Sequence, residues 1–177
     1  MDLYSYSGSL NVRTAPNRKR LYQIADVIET YPERHDQDSW IENDDGEAES
    51  SVIYNGEEIS CGTTQCVAGW ALILNNGGLQ AVDSSSVSDE YIFAGNSTAS
   101  AYSIMHDAAS ILGLSEDDAH TLFYASDIDD YESFDMPRVL REIADGRPVV
   151  DAVDEAMYRV EGFYADCTGV AVNINRA

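Results

Sequence analysis

The chain has 177 residues, 44% of them hydrophobic and 10% aromatic, enough to bury a core as one domain over 1–177 and unlike the composition of a disordered acidic tail. Its formal net charge is −22, from 32 Asp and Glu against 10 Lys and Arg, which opposes direct binding to nucleic acid. No apolar run approaches the roughly 20 residues of a membrane span, the N-terminus MDLYSYSGSL is acidic and polar, and three cysteines without a pairing pattern favour reduced thiols, so a soluble cytoplasmic protein is expected.

The charge is unevenly placed. Lys and Arg occur at 13, 18, 19, 20 and 34 and then not until 138, so 103 consecutive residues, 35–137, contain neither. That segment holds 21 acids and carries −21, while the two flanks together are almost balanced.

In chain order, Pro16-Asn17 opens an amphipathic helix with Leu21, Ile24, Ala25 and Ile28 on one face, ending near Tyr31-Pro32. Arg18, Lys19 and Arg20 fall in its first turn, where the macrodipole disfavours cations, and are expected to pair with acids of the same protein. From Trp40 the stretch WIENDDGEAESS reads as an acidic loop, an insertion over 42–51. The Asn55-Gly56 pair that follows lies between two short β-prone runs and signals a hairpin.

Residues 61–71, CGTTQCVAGWA, start a run through Leu74 that is apolar nearly all round, the mark of a buried helix. With Thr64 as its N-cap, Cys66 would lie in the first turn, where helix amides favour thiolate, and His35, His106 or His120 would have to serve as base. Packing is the expected role of the thiols, because free Cys is among the most buried residue types. Gly69 costs on the order of 1 kcal/mol relative to Ala within a helix, which makes sense where another backbone approaches closely.

Asn76-Gly77-Gly78 stops this helix before a strand over LQAV, and a second short strand is expected around Tyr91 to Phe93. A helical hairpin is expected over 98–126. Ala101, Ile104, Met105, Ala108 and Ile111 trace its first face, Gly113 ends that helix, Ser115 caps the next, and Leu122 and Phe123 turn inward. Asp135 with Pro137 begins a further helix with Met136, Val139, Leu140 and Ile143 inward, closed by Asp145-Gly146. The last helix presents Val149, Val153, Ala156, Met157 and Val160, and GVAVNIN reads as a terminal strand. The expected fold class is α+β, about five helices packed with a small, mostly antiparallel sheet.

Cys61 and Cys66 form one ligand pair at a wide interval, and Cys167 and the histidines are scattered, so no zinc site is expected. The acidic stretches lack the twelve-residue calcium-loop pattern, and no phosphate-binding glycine loop or dinucleotide fingerprint occurs, so no metal or cofactor is expected. The combination of YPERHD before a Trp, CGTTQCVAGWA and ILGLSEDDAHTLF resembles a family of small bacterial and bacteriophage proteins of uncharacterised function, over residues 18 to 124. The resemblance implies a phage or bacterial cytoplasmic setting and transfers no activity and no catalytic residues.

Acidity of this kind keeps a protein soluble and also arises in salt-adapted hosts, a reading that the single Lys suits. Its confinement to 35–137 suggests instead a surface that imitates a nucleic-acid backbone, whose charges recur about every 1.7 Å of duplex axis. On that reading the chain is a non-enzymatic protein that binds the basic surface of a host nucleic-acid-binding protein. The acids concerned are Glu42, Asp44, Asp45, Glu47, Glu49, Glu116, Asp117, Asp118, Asp127, Asp129, Asp130, Glu132 and Asp135. A hydrolase or transferase built on Cys66 is the competing expectation.

Overall fold

The computed structural model describes residues 15–37, 40–43, 63–83, 90–93, 97–100, 102–125 and 134–167, with the backbone alone for 42–43, 63–64, 80–83 and 160–167. These residues form an α+β fold. Six helices occur: α1 (Arg18–Thr30), α2 (Val67–Asn75), α3 (Ile104–Leu112), α4 (Glu116–Phe123), α5 (Met136–Ala144) and α6 (Val149–Cys167). The strands make two separate antiparallel sheets. One pairs β1 (Ile41–Asn43) with β2 (Thr63–Gln65), and the other has the order β3 (Leu79–Asp83), β4 (Glu90–Phe93), β5 (Thr98–Ser100).

Helix ends follow the capping residues that the sequence supplies. Asn17 serves two helices: its Oδ1 accepts from the Arg20 amide at 3.2 Å to cap α1, and its Nδ2 donates to the Ile111 carbonyl at 3.0 Å at the end of α3. Gly113, at φ 68, closes α3 in the left-handed conformation, with the Leu114 amide reaching back to the Ala109 carbonyl. Ser115 caps α4 and Asp135 caps α5, each accepting from the amide three residues on.

The core is one cluster in which α1 packs on α5 and α2 packs on α3, with α4 against both α3 and α6. Leu21, Ile24, Ala25 and Ile28 of α1 and Met136, Val139, Leu140 and Ile143 of α5 are buried, as their periodicity requires. From Val67 to Ile73 every residue of α2 is buried, so this helix is the centre of the fold. Each such large apolar side chain contributes about 1.5–3 kcal/mol, against at most about 1 kcal/mol for a surface ion pair, so burial decides the fold.

Four local expectations are corrected. Thr64 lies in β2 and Cys66 is the N-cap of α2, because the segment before α2 is drawn into pairing with β1. Residues 41–43 of the expected acidic loop form β1 for the same reason. Residues 98–100 join β4 as strand β5, so α3 starts later, after the turn in which Ser103 accepts from the Ser100 amide at 3.1 Å. The buried face of α3 is Ile104, Ala108, Ala109 and Leu112, with Met105 and Ile111 half-buried at its border. The hairpin around Asn55-Gly56 and the terminal strand GVAVNIN lie outside the described residues.

Five arginines of the flanks, Arg18, Arg138, Arg141, Arg147 and Arg159, are held by carboxylates. Arg18 meets Asp145 at 2.7 Å and lies over the Tyr22 ring, so a cation disfavoured by its position in the first turn of α1 finds a carboxylate at the end of α5. Arg141 bridges Asp26, at 2.8 Å, and Glu29 on α1. Glu142 and Glu155 join Arg138, Arg147 and Arg159 across α5 and α6. Hydrogen bonds first from Arg147 and then from Arg159 hold the Glu155 carboxyl down at about 2.

Candidate interaction face

The approach of three segments at the N-terminal end of α2 places the side chains that matter most. Gly69 has the Trp40 carbonyl directly above it: a Cβ built there would stand 2.1 Å from that oxygen and 2.9 Å from both Gln65 Cβ and Ile41 Cγ1. The expected close backbone approach at Gly69 is therefore present, and its partner is the chain entering β1.

Gln37 is 4% exposed and ties this entry to two helices. Its Nε2 donates to the carbonyls of Leu122 and Phe123, both at 3.0 Å, which are among the orphan acceptors of the last turn of α4. Its Oε1 accepts from the Val67 amide at 3.3 Å, an orphan donor of the first turn of α2. One buried amide thus completes one helix start and one helix end.

Cys66 is fully buried, and burial pushes its thiol up to about 12. Its Sγ donates to the Trp40 carbonyl at 3.8 Å. At neutral pH it is a protonated packing group rather than the thiolate that nucleophilic chemistry needs. Its position as N-cap, with no capping bond from its side chain, differs from the first-turn placement expected, yet its packing role agrees.

His35 pairs with Gln65 across an isolated bridge, and its Nδ1 lies 3.1 Å from the Gln65 carbonyl. Burial is the main cause that brings its pKa down to about 4, outweighing the Gln65 carbonyl and Asp36, which act to raise it. The native ring is therefore neutral where an unfolded chain, with an ordinary value near 6.5, takes up a proton. Stability from this group is complete above pH 6.5 and is lost as pH falls toward 4, by about 3 kcal/mol. Urea unfolding at pH 7 and pH 4 should show His35→Gln losing about 3 kcal/mol less than the parent chain over that interval. An unchanged difference between the two would show that the ring is not buried neutral.

The exposed side of α4 carries Glu116, His120 and Tyr124 at intervals of four, which places them on one face. His120 stacks on Tyr124 with ring centroids 4.6 Å apart, and Tyr124 meets Trp40 edge to face at 5.8 Å and 87°. Tyr124 is 44% exposed. Glu116 also lies 3.9 Å from His106 on α3, so an exposed strip runs from α3 along α4 to Trp40.

Of the acids expected to bind a partner, Glu116, Asp117 and Asp118 make the first turn of α4, where carboxylates favour the macrodipole. Asp118 accepts from the Ser115 hydroxyl at 2.7 Å and Asp135 caps α5 and faces Arg138 at 3.7 Å, so both also carry local structure. Glu42 lies in β1 opposite Thr64. Asp44, Asp45, Glu47, Glu49, Asp127, Asp129, Asp130 and Glu132 lie outside the described residues.

Sequence reasoning missed Trp40, His120 and Tyr124 as members of this face, and the buried Gln37 that supports it. The available signal was a Trp and a Tyr each set two or three residues before the first acid of an acidic run. Among the described residues no three His, Cys, Asp or Glu side chains converge to hold a metal ion, and no helix is long and apolar enough to cross a membrane. No family model, curated protein or solved structure matches the chain.

Proposed function

We propose that this chain is a non-enzymatic acidic interaction protein that occupies a basic, nucleic-acid-binding surface of another protein. The observation that carries this reading is the segregation of charge. Residues 35–137 contain no Lys or Arg, while five arginines of the flanks, Arg18, Arg138, Arg141, Arg147 and Arg159, are engaged with Asp26, Glu29, Glu142, Asp145 and Glu155 in the α1, α5 and α6 layer. Cations already held by their own carboxylates leave the negative charge of 35–137 uncompensated for a partner. The resemblance of the central motif to small bacterial and bacteriophage proteins supports a host nuclease, restriction enzyme or RNA-guided defence complex as that partner, with the chain acting as an inhibitor in the host cytoplasm.

The test is capture from bacterial lysate on the immobilised chain at low salt, followed by elution with duplex DNA or with salt. Proteins that handle nucleic acid should be retained and then released by DNA, since both ligands compete for the same Lys and Arg. Retention of no such protein, or retention that DNA leaves untouched, would overturn the reading.

A further inference from the structure

The edge-to-face contact of Trp40 with Tyr124 does more than pack two rings. It joins two points far apart in the chain, and each is the root of an acidic run: Glu42, Asp44 and Asp45 follow Trp40 within five residues, and Asp127, Asp129 and Asp130 follow Tyr124 within six. Glu116 lies two turns before Tyr124 on the same face of α4, about 12 Å away along the helix. The aromatic surface thus belongs to a segment, 35–137, that holds 21 acids and no Lys or Arg.

We propose that Trp40, Tyr124 and His120 form the seat for an arginine side chain of a basic protein partner. This rests on the acidic-interaction reading and gives it an anchor. Carboxylates attract a basic surface over distance but hold no particular side chain in place, whereas an exposed aromatic face holds a cation at a defined point. A guanidinium suits it better than an ammonium, because it is planar and more weakly hydrated and so stacks on a ring face. Tyr and Trp dominate binding energy at interfaces for related reasons. A nucleobase would also stack on these rings, but its phosphates would meet a chain of −22, so the charge favours a cationic occupant.

Titration calorimetry of the full chain with hexa-arginine and hexa-lysine peptides at 150 mM salt tests this. Carboxylates alone give arginine some advantage, so the decisive reading is how that preference responds to Tyr124. Tyr124→Leu, which keeps an apolar side chain beside the Trp40 ring, should weaken hexa-arginine about 5-fold and leave hexa-lysine nearly unchanged, the scale of one partly exposed cation–π contact. Tyr124→Phe should behave as the parent chain. Exchanging Glu116 and Asp117 for Gln and Asn should weaken both peptides equally. An unchanged arginine preference in Tyr124→Leu would overturn the seat while leaving the acidic-surface reading intact. Failure of either peptide to bind the parent chain, even at low salt, would overturn both.

Discussion

Replacing Gly69 by Ala is expected to lower folding stability by about 3 kcal/mol, although the same change in an open helix would raise it by about 1 kcal/mol. The added Cβ would lie 2.1 Å from the Trp40 carbonyl oxygen, which is backbone and cannot swing aside as a flexible side chain would. Relief requires the strand entry at Trp40–Ile41 to move off α2. That movement would break the Cys66 thiol contact to the Trp40 carbonyl and disturb the pairing of β1 with β2. Urea unfolding followed by circular dichroism would measure the loss. Gly146→Ala is the contrast: among the described residues beyond its chain neighbours no atom would lie within 4 Å of the added Cβ, so its backbone conformation at φ 98 opposes the change, by about 1 kcal/mol. Equal stability of the Gly69→Ala protein and its parent would show that the approach above α2 is looser than described.

Replacing Gln37 by Leu should lower stability by a similar amount, about 3 kcal/mol, for a different reason. Volume is nearly conserved, so cavity formation contributes little. The loss comes from three backbone groups, the Val67 amide and the Leu122 and Phe123 carbonyls, left without the Gln37 amide in a buried place. Buried groups without partners cost about 1–3 kcal/mol each, reduced here where the carbonyls sit at a helix end that water can reach. Gln37→Glu should recover part of the Val67 bond at most, because a carboxylate accepts but has nothing to donate to the two carbonyls. Since this amide ties the approach to Trp40 onto the end of α4, the Gln37→Leu protein should also show red-shifted tryptophan emission. Unfolding midpoints for the two variants and the parent chain decide the matter, and a midpoint within error of the parent for Gln37→Leu would show that the Gln37 amide does not stabilise these two helix ends.

These two residues differ in how far the sequence announced them. Gly69 stood out as a glycine inside an apolar helix, a local inconsistency that called for a neighbouring backbone, although nothing named Trp40 as that neighbour. Gln37 carried no local mark, because its meaning lies in three partners contributed by α2 and α4.

What the sequence determined by itself is written at short range. Apolar residues recurring at three and four positions defined the buried faces of α1 and α5, and the caps Asn17, Ser115, Gly113 and Asp135 set helix limits through bonds three or four residues away. The charge map needed no structure either, since the absence of Lys and Arg from 35–137 is a property of the chain. What the tertiary structure alone decided depends on distant partners. Residues 41–43, 63–65 and 98–100 become strands because another strand lies beside them, each too short for its own alternation to show. Trp40 and Tyr124 become one aromatic surface because Gln37 and Gly69 bring the entry to β1 against the end of α4, and no spacing within either segment encodes that meeting.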